Sequence, residues 1–295
     1  MNKTIITLLT GCAALLLAAC DVKDPIHDTP HPDHGKITLT TDWSERGTGI
    51  DIPASYTVKV GEYSATVSGA TNTIDYLFLP DTYRAYIYNT AEHVTVSGTV
   101  ATVAGAAGNV DGVDAFVRED PGWLFTSVAD AAIEKDTDYE LTAAMQQQVR
   151  QLTLIVEPTG GTTSYVESIS GYLSGAASTL DIDNGTHGNA SNVALEFARI
   201  PSGVNAGNWS ATVRLLGTAG AQQWLTVTIK FTEFYGDLLI VSDLSADLSA
   251  FNTDKKTPLT LGGKVVETPT GAGFTATIND WTAGNGSGED IDANM

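Results

Sequence analysis

The sequence predicts an all-β protein built as two tandem β-sandwich domains, and three observations predict it. Apolar residues recur at every second position in short runs, the period of a half-buried strand. Clusters of Gly, Pro, Asn and Asp separate these runs at short intervals. No stretch between them demands a helix of more than about two turns. Strands at such spacing belong to sandwiches or barrels rather than to βαβ units. Residues 36–295 are enough chain for two cores of ordinary size.

Two segments of a different kind precede the first strand. Lys3 supplies a positive charge, and Ile5 to Leu17 form an apolar stretch too short to span a bilayer as a helix. It ends in Leu17-Ala18-Ala19-Cys20, a lipobox: two small residues fit a peptidase cleft, and the thiol accepts a diacylglyceryl group. Residues 1–19 are therefore expected to be a lipoprotein signal peptide, with Cys20 the lipidated residue of the mature chain. Acyl chains at that position hold a protein to a membrane without a transmembrane helix. Residues 20–35 contain three prolines and no hydrophobic period, and read as an extended tether.

Strand signals begin at Lys36-Ile-Thr-Leu-Thr40. Tyr56 to Val60 and Tyr63 to Val67 flank a Gly61-Glu62 turn as a hairpin. Ile74 to Leu79, Tyr83 to Tyr88 and His93 to Val96 follow as further short strands. Ser127 to Lys135 reads as one or two helical turns, and Met145 to Gln151 fits either helix or strand. Leu152 to Glu157 is a strand ended by Pro158. Val166–Leu173, Val193–Phe197, Trp209–Leu216, Trp224–Phe231, Leu259–Val266 and Phe274–Trp281 complete the second half. The division falls near 147, giving an N-terminal sandwich over 36–147, a C-terminal sandwich over 148–282, and a flexible acidic tail over 283–295.

Charge and cysteine content narrow the chemistry. Loss of Lys3 with the signal leaves 14 basic against 35 acidic residues, a net of −21. That charge repels nucleic acid and anionic lipid, so neither is an expected partner. Cys12 leaves with the signal and Cys20 is acylated, so no thiol pair remains for a disulfide or a thiolate metal site.

His27, His31 and His34 with Asp28 and Asp33 form the densest group of metal-capable side chains. Pro30 and Pro32 hold them extended, however, so a solvated tether explains them better than a metal site. His93 and His187 read as surface histidines, and neither neighbours a Gly-x-Ser-x-Gly elbow. Carboxylates are plentiful, but nothing singles out a catalytic pair. Asp181-Ile-Asp183-Asn184-Gly185 opens like a calcium loop, lacks its closing Glu, and is better explained as a turn with Asn-Gly at its corner. Trp43, Trp123, Trp209, Trp224 and Trp281 are expected mainly in the cores rather than as sugar platforms. No catalytic residue, metal or cofactor is expected, and the chain is not read as an enzyme.

Three segments of the second half carry a family resemblance: Met145-Gln-Gln-Gln-Val-Arg-Gln-Leu-Thr-Leu154, Ser168-Ile-Ser-Gly-Tyr-Leu-Ser-Gly175 and Phe274-Thr-Ala-Thr-Ile-Asn-Asp-Trp281. With His31 to Trp43 after the lipobox, they resemble the FimB-type fimbrillin-associated anchor family of Bacteroidetes, in register over most of the mature chain. The resemblance implies transthyretin-like sandwiches, a lipid-anchored place on the outer membrane, and a role as fimbrial anchor or accessory subunit in assembly and cell adhesion. Fimbrial shaft subunits are the implied partners, and Cys20 alone maps onto a functional position. The alternative is a surface glycan-binding lipoprotein, which would use exposed Trp or Tyr.

Overall fold

The computed structural model describes residues 31–106, 116–117, 119–232, 236–270 and 273–284. Cys20, the expected signal peptide, His27, Asp28 and nearly all of the expected acidic tail lie outside them. The first half carries β1 (Gly35–Asp42), β2 (Tyr56–Val60), β3 (Tyr63–Val67), β4 (Thr71–Thr73), β5 (Asp81–Tyr88), β6 (Val94–Ser97), β7 (Val100–Val103), β8 (Gly105–Ala106), β9 (Phe116–Val117), β10 (Phe125–Ile133), β11 (Thr137–Ala144) and β12 (Gln146–Gln147). The second carries β13 (Arg150–Pro158), β14 (Val166–Asp181), β15 (Thr186–Arg199), β16 (Trp209–Leu215), β17 (Trp224–Phe231), β18 (Leu238–Asp243), β19 (Leu259–Thr270) and β20 (Gly273–Ala283). Among the described residues the one helical element is a 3-10 turn at Thr163–Tyr165. The chain is all-β.

The first core lies between a sheet ordered β11-β1-β4 and a sheet ordered β12-β10-β5-β2-β3. Alternation along β1 sends Ile37, Leu39 and Thr41 inward while Lys36, Thr38, Thr40 and Asp42 face out or half out. They meet Val58, Val60, Ile87, Phe125, Leu141 and Met145. Each such aliphatic or aromatic side chain contributes about 1.5–3 kcal/mol when fully buried. β1 is held on both sides, parallel to β11 from Gly35↔Thr137 to Asp42↔Ala144 and antiparallel to β4.

The second core is wrapped by one long sheet, ordered β18-β17-β14-β15-β16-β13-β19-β20. β15 turns the corner: its earlier residues pair with β14, and its last two, Ala198 and Arg199, pair with β16. The ends of the sheet meet where Trp281 Nε1 donates to Ser242 Oγ at 2.8 Å and Ser242 Oγ reaches the carbonyl of Ile278 at 3.2 Å. β13 is buried on both faces, with Leu154, Ile155 and Val156 in succession, as an interior strand paired parallel to β19 should be. Gly171 lets β14 approach β17 closely, since a Cβ there would stand 2.0 Å from the carbonyl oxygen of Thr226.

Four sequence expectations are corrected. Ser127–Lys135 is not helical: it falls largely in β10, because pairing with β5 along Thr126–Ile133 overrides the helix propensity of its alanines. Ile74–Leu79 is not a strand but a loop that drops Ile74 and Phe78 into the first core, with a single bridge from Phe78 to Gly35. Residues 94–117, assigned by sequence to the first sandwich, supply β6 to β9, and β7 and β9 pair with β14 and β15 of the second sheet. The tether expected to run through residue 35 gives way earlier to folded chain. His31 is buried there, with its ring against the carbonyl of His34 (3.1 Å) and Asp138 Oδ1 (3.3 Å).

Candidate functional site

The passage from one core to the other runs through Met145-Gln146-Gln147-Gln148-Val149-Arg150. Met145 packs in the first core and Val149 in the second. Between them stand buried polar side chains, which need partners to offset their desolvation. Gln147 Oε1 accepts from the Gly47 N–H at 2.8 Å, and its Nε2 donates to the carbonyls of Val149 (2.8 Å) and Lys255 (2.6 Å). Gln148 Nε2 donates to Thr126 Oγ1 at 2.8 Å, and its Oε1 accepts from Lys255 Nζ at 2.6 Å.

Arg150 continues the pattern. Its Nε and Nη1 donate to the carbonyls of Thr257 (2.7 Å) and Phe251 (3.0 Å), and its guanidinium lies 5.1 Å from the centre of the Phe251 ring. Burial pushes its pKa down. Three polar anchors within four residues, Gln147, Gln148 and Arg150, thus pin the 251–257 loop across the joint. This is a mechanical site: its chemistry is hydrogen bonding that fixes one core against the other.

Beside the joint opens a cleft of about 810 Å³, lined among others by Thr126–Ala129, Thr142, Gln146, Gln148, His187 and Lys255. Its acidic groups are already engaged. Glu45 pairs with Lys256 at 2.9 Å, and Asp183 pairs with Arg84 at 2.8 Å. Asp254 accepts from the backbone N–H groups of Lys256 and Thr257. Asp183 and then Asp130, both hydrogen-bonded to Arg84, raise its pKa further.

Lys255 differs. Its ammonium has the neutral Gln148 amide as its hydrogen-bond partner, and burial lowers its pKa to about 8. Near it, His187 is lowered to about 4, by burial first and by the Lys255 charge second, and its Nε2 is buried without a partner among the described residues.

The other sequence candidates are dispersed. Among the described residues no three His, Cys, Asp or Glu side chains are grouped to hold a metal. His93 sits at φ 57° in a turn, 3.6 Å from Glu92. His187, read from sequence as a surface residue, instead lines the cleft, because β15 carries it against Gly217. The Asp181 carboxylate is used within its own turn, accepting from the Asp183 N–H (3.0 Å) and Asn184 Nδ2 (2.7 Å), while Gly185 takes φ 73°. Trp43, Trp123, Trp209 and Trp281 pack against the cores; Trp224 is 37% exposed.

Sequence reasoning missed the cleft and Lys255 altogether. A signal was present: four polar residues (Gln146, Gln147, Gln148 and Arg150) with no amphipathic period stand between two alternating stretches, where a solvated linker would carry Gly, Pro or Ser. It also missed β18, whose outer face exposes Leu239 (64%) and Val241 (56%).

Comparison with known proteins bears on the whole arrangement. The family model described as fimbrillin-A associated anchor proteins Mfa1 and Mfa2 matches residues 114–293. Among solved structures, a candidate adhesin from Bacteroides ovatus is similar with a TM-score of 0.58 at 16% identity, over 87% of this chain and 95% of that one. The fimbrial anchor protein Mfa2 from Porphyromonas gingivalis is similar with a TM-score of 0.52 at 13% identity, over 85% and 97%. At these identities the structural likeness speaks for the fold. No curated protein sequence matches the chain.

Proposed function

The chain belongs to the fimbrillin-A associated anchor family, and from that membership we propose that it is an anchor or accessory subunit of a fimbria, held to the outer membrane by acyl chains on Cys20. The observation that carries this reading is the family match over 114–293, which takes in every strand of the second sheet from β13 to β20. The lipobox ending at Cys20 supports the anchoring. Ten residues separate Cys20 from His31, the first described residue, and the eleven steps between the two, at about 3.3–3.6 Å each, reach no further than about 40 Å. A globule so tethered stays at the membrane, where the base of a filament belongs.

On this reading the function is assembly and cell adhesion rather than catalysis, and fimbrial shaft subunits are the partners. The pinned joint suits it, because a filament's pull on the second core would reach the lipid at Cys20 only through the first. The Porphyromonas protein named as a fimbrial anchor and the Bacteroides candidate adhesin share this fold and agree with the assignment. The test is capture of the tagged chain from cross-linked cells that make it, with its neighbours identified by mass spectrometry. Fimbrial shaft subunits are expected. Recovery of polysaccharide-uptake components alone would favour the glycan-binding alternative.

A further inference from the structure

We propose that the cleft beside the joint binds an extended acidic peptide, placing one carboxylate on Lys255 and pairing its backbone with the open edge of β10. Two independent observations converge on this occupant. The first is charge. Within the cleft Glu45 is bound to Lys256 and Asp183 to Arg84, and Asp254 is turned onto backbone N–H groups. Lys255 forms no ion pair among the described residues, and its one hydrogen-bond partner is the neutral Gln148 side chain. An ammonium has three donors, so two remain for a ligand. A half-buried cation without a counter-ion is costly, and an incoming carboxylate relieves that cost.

The second observation is the backbone. β10 pairs with β5 from Thr126 to Ile133, but on its other side it pairs with β12 at Phe125 and Thr126 alone. From Ser127 onward that edge has no strand partner among the described residues. Three successive residues of that edge, Ser127, Val128 and Ala129, line the cleft next to the paired Thr126. Side chains of a strand alternate between faces, so three in a row place the strand's edge, not one face, against the space. An edge with free N–H and C=O groups is a template for an added strand.

Edge and cation belong to one site. Thr126 Oγ1 is bonded to Gln148 Nε2, and Gln148 Oε1 to Lys255 Nζ, so two hydrogen bonds span the distance between them. A sugar acid would use the lysine but leave the edge unpaired; a peptide satisfies both. The wider surface is acidic, so the attraction is confined to the cleft and is strongest for a carboxylate already brought in by backbone pairing.

For its natural occupant, a segment of a partner subunit, the proposal rests on the assembly reading above. The test reads the cleft alone. The acyl-free chain from residue 21 is titrated by fluorescence anisotropy with a labelled eight-residue Thr/Val peptide carrying a central Glu. Its counterparts carry Gln at that position, or N-methyl groups on alternate amides. The Glu peptide is expected to bind about tenfold more tightly than the Gln peptide, the worth of one charged hydrogen bond. That preference should vanish in Lys255→Met, and N-methylation should abolish binding in the unaltered protein, where misfolding of a variant plays no part. Equal binding of Glu and Gln peptides would overturn the proposal. So would Lys255-dependent binding of polygalacturonate with none of the peptide. Failure here would leave the anchor reading standing, since capture of shaft subunits from cells does not depend on which surface they touch.

Discussion

Gln147 Nε2 donates to the backbone carbonyl of Lys255 at 2.6 Å, joining residues 108 positions apart. The same amide holds Gly47 and Val149, so one side chain ties the first core's loop, the crossing strand and the 251–257 loop together.

Gln147→Ala should therefore destabilise the protein by about 3 kcal/mol, because it leaves a buried N–H and two buried carbonyls without partners. Urea unfolding checks this through the midpoint. A loss under about 0.5 kcal/mol, as at an ordinary surface position, would mean that the joint is not fixed by this side chain.

His187 makes stability depend on pH. Its ordinary pKa of 6.5 is lowered to about 4 in the folded chain by burial and by Lys255. Between those values the unfolded chain binds more protons than the folded one. The contribution is thus fully present above about pH 6.5 and is lost as pH falls toward 4. Because the ring is only partly buried, solvent screening brings the loss down to about 1–2 kcal/mol. Thermal unfolding of His187→Gln should show a shallower fall across that window than the unaltered protein. Parallel curves would contradict the assignment.

Gly171→Ala should cost at least about 2 kcal/mol, since its Cβ would meet the Thr226 carbonyl oxygen at 2.0 Å and the Val227 Cα at 2.9 Å, backbone that cannot step aside. Gly262→Ala in β19 is the control, because nothing lies within 4 Å of its Cβ. Melting temperatures of the two variants decide it, and equal losses would refute the close-approach argument.

Much of the fold was legible because alternation is a local signal. β2 and β3 fall where Tyr56–Val60 and Tyr63–Val67 alternate, and β13, β17 and β20 begin within two residues of where the pattern places them. What escaped was set by tertiary contact. Alanines in β10 resemble a helix until β5 pairs with them, and β4 and β8 are too short to show a period. The transfer of β6 to β9 onto the second sheet depends on pairings such as Thr179↔Thr102, between residues far apart in sequence. The site was harder still. Nothing local distinguishes Lys255 from Lys256; only burial and the partners that surround each one separate them. The proposed lipobox at Leu17–Cys20 stands at the other extreme, since a signal of that kind is read by enzymes as a sequence and needs no fold.

We propose that this chain fastens a fimbria to the membrane through Cys20, and Cys20→Ala removes that fastening alone. In cells that make the fimbria, filaments should be fractionated between the cell surface and the medium after incorporation of an acyl label. The variant should carry no label, and filaments should be shed into the medium with the subunit still attached. Filaments that stay on the cell in normal amount, with the unlabelled subunit absent from them, would contradict it.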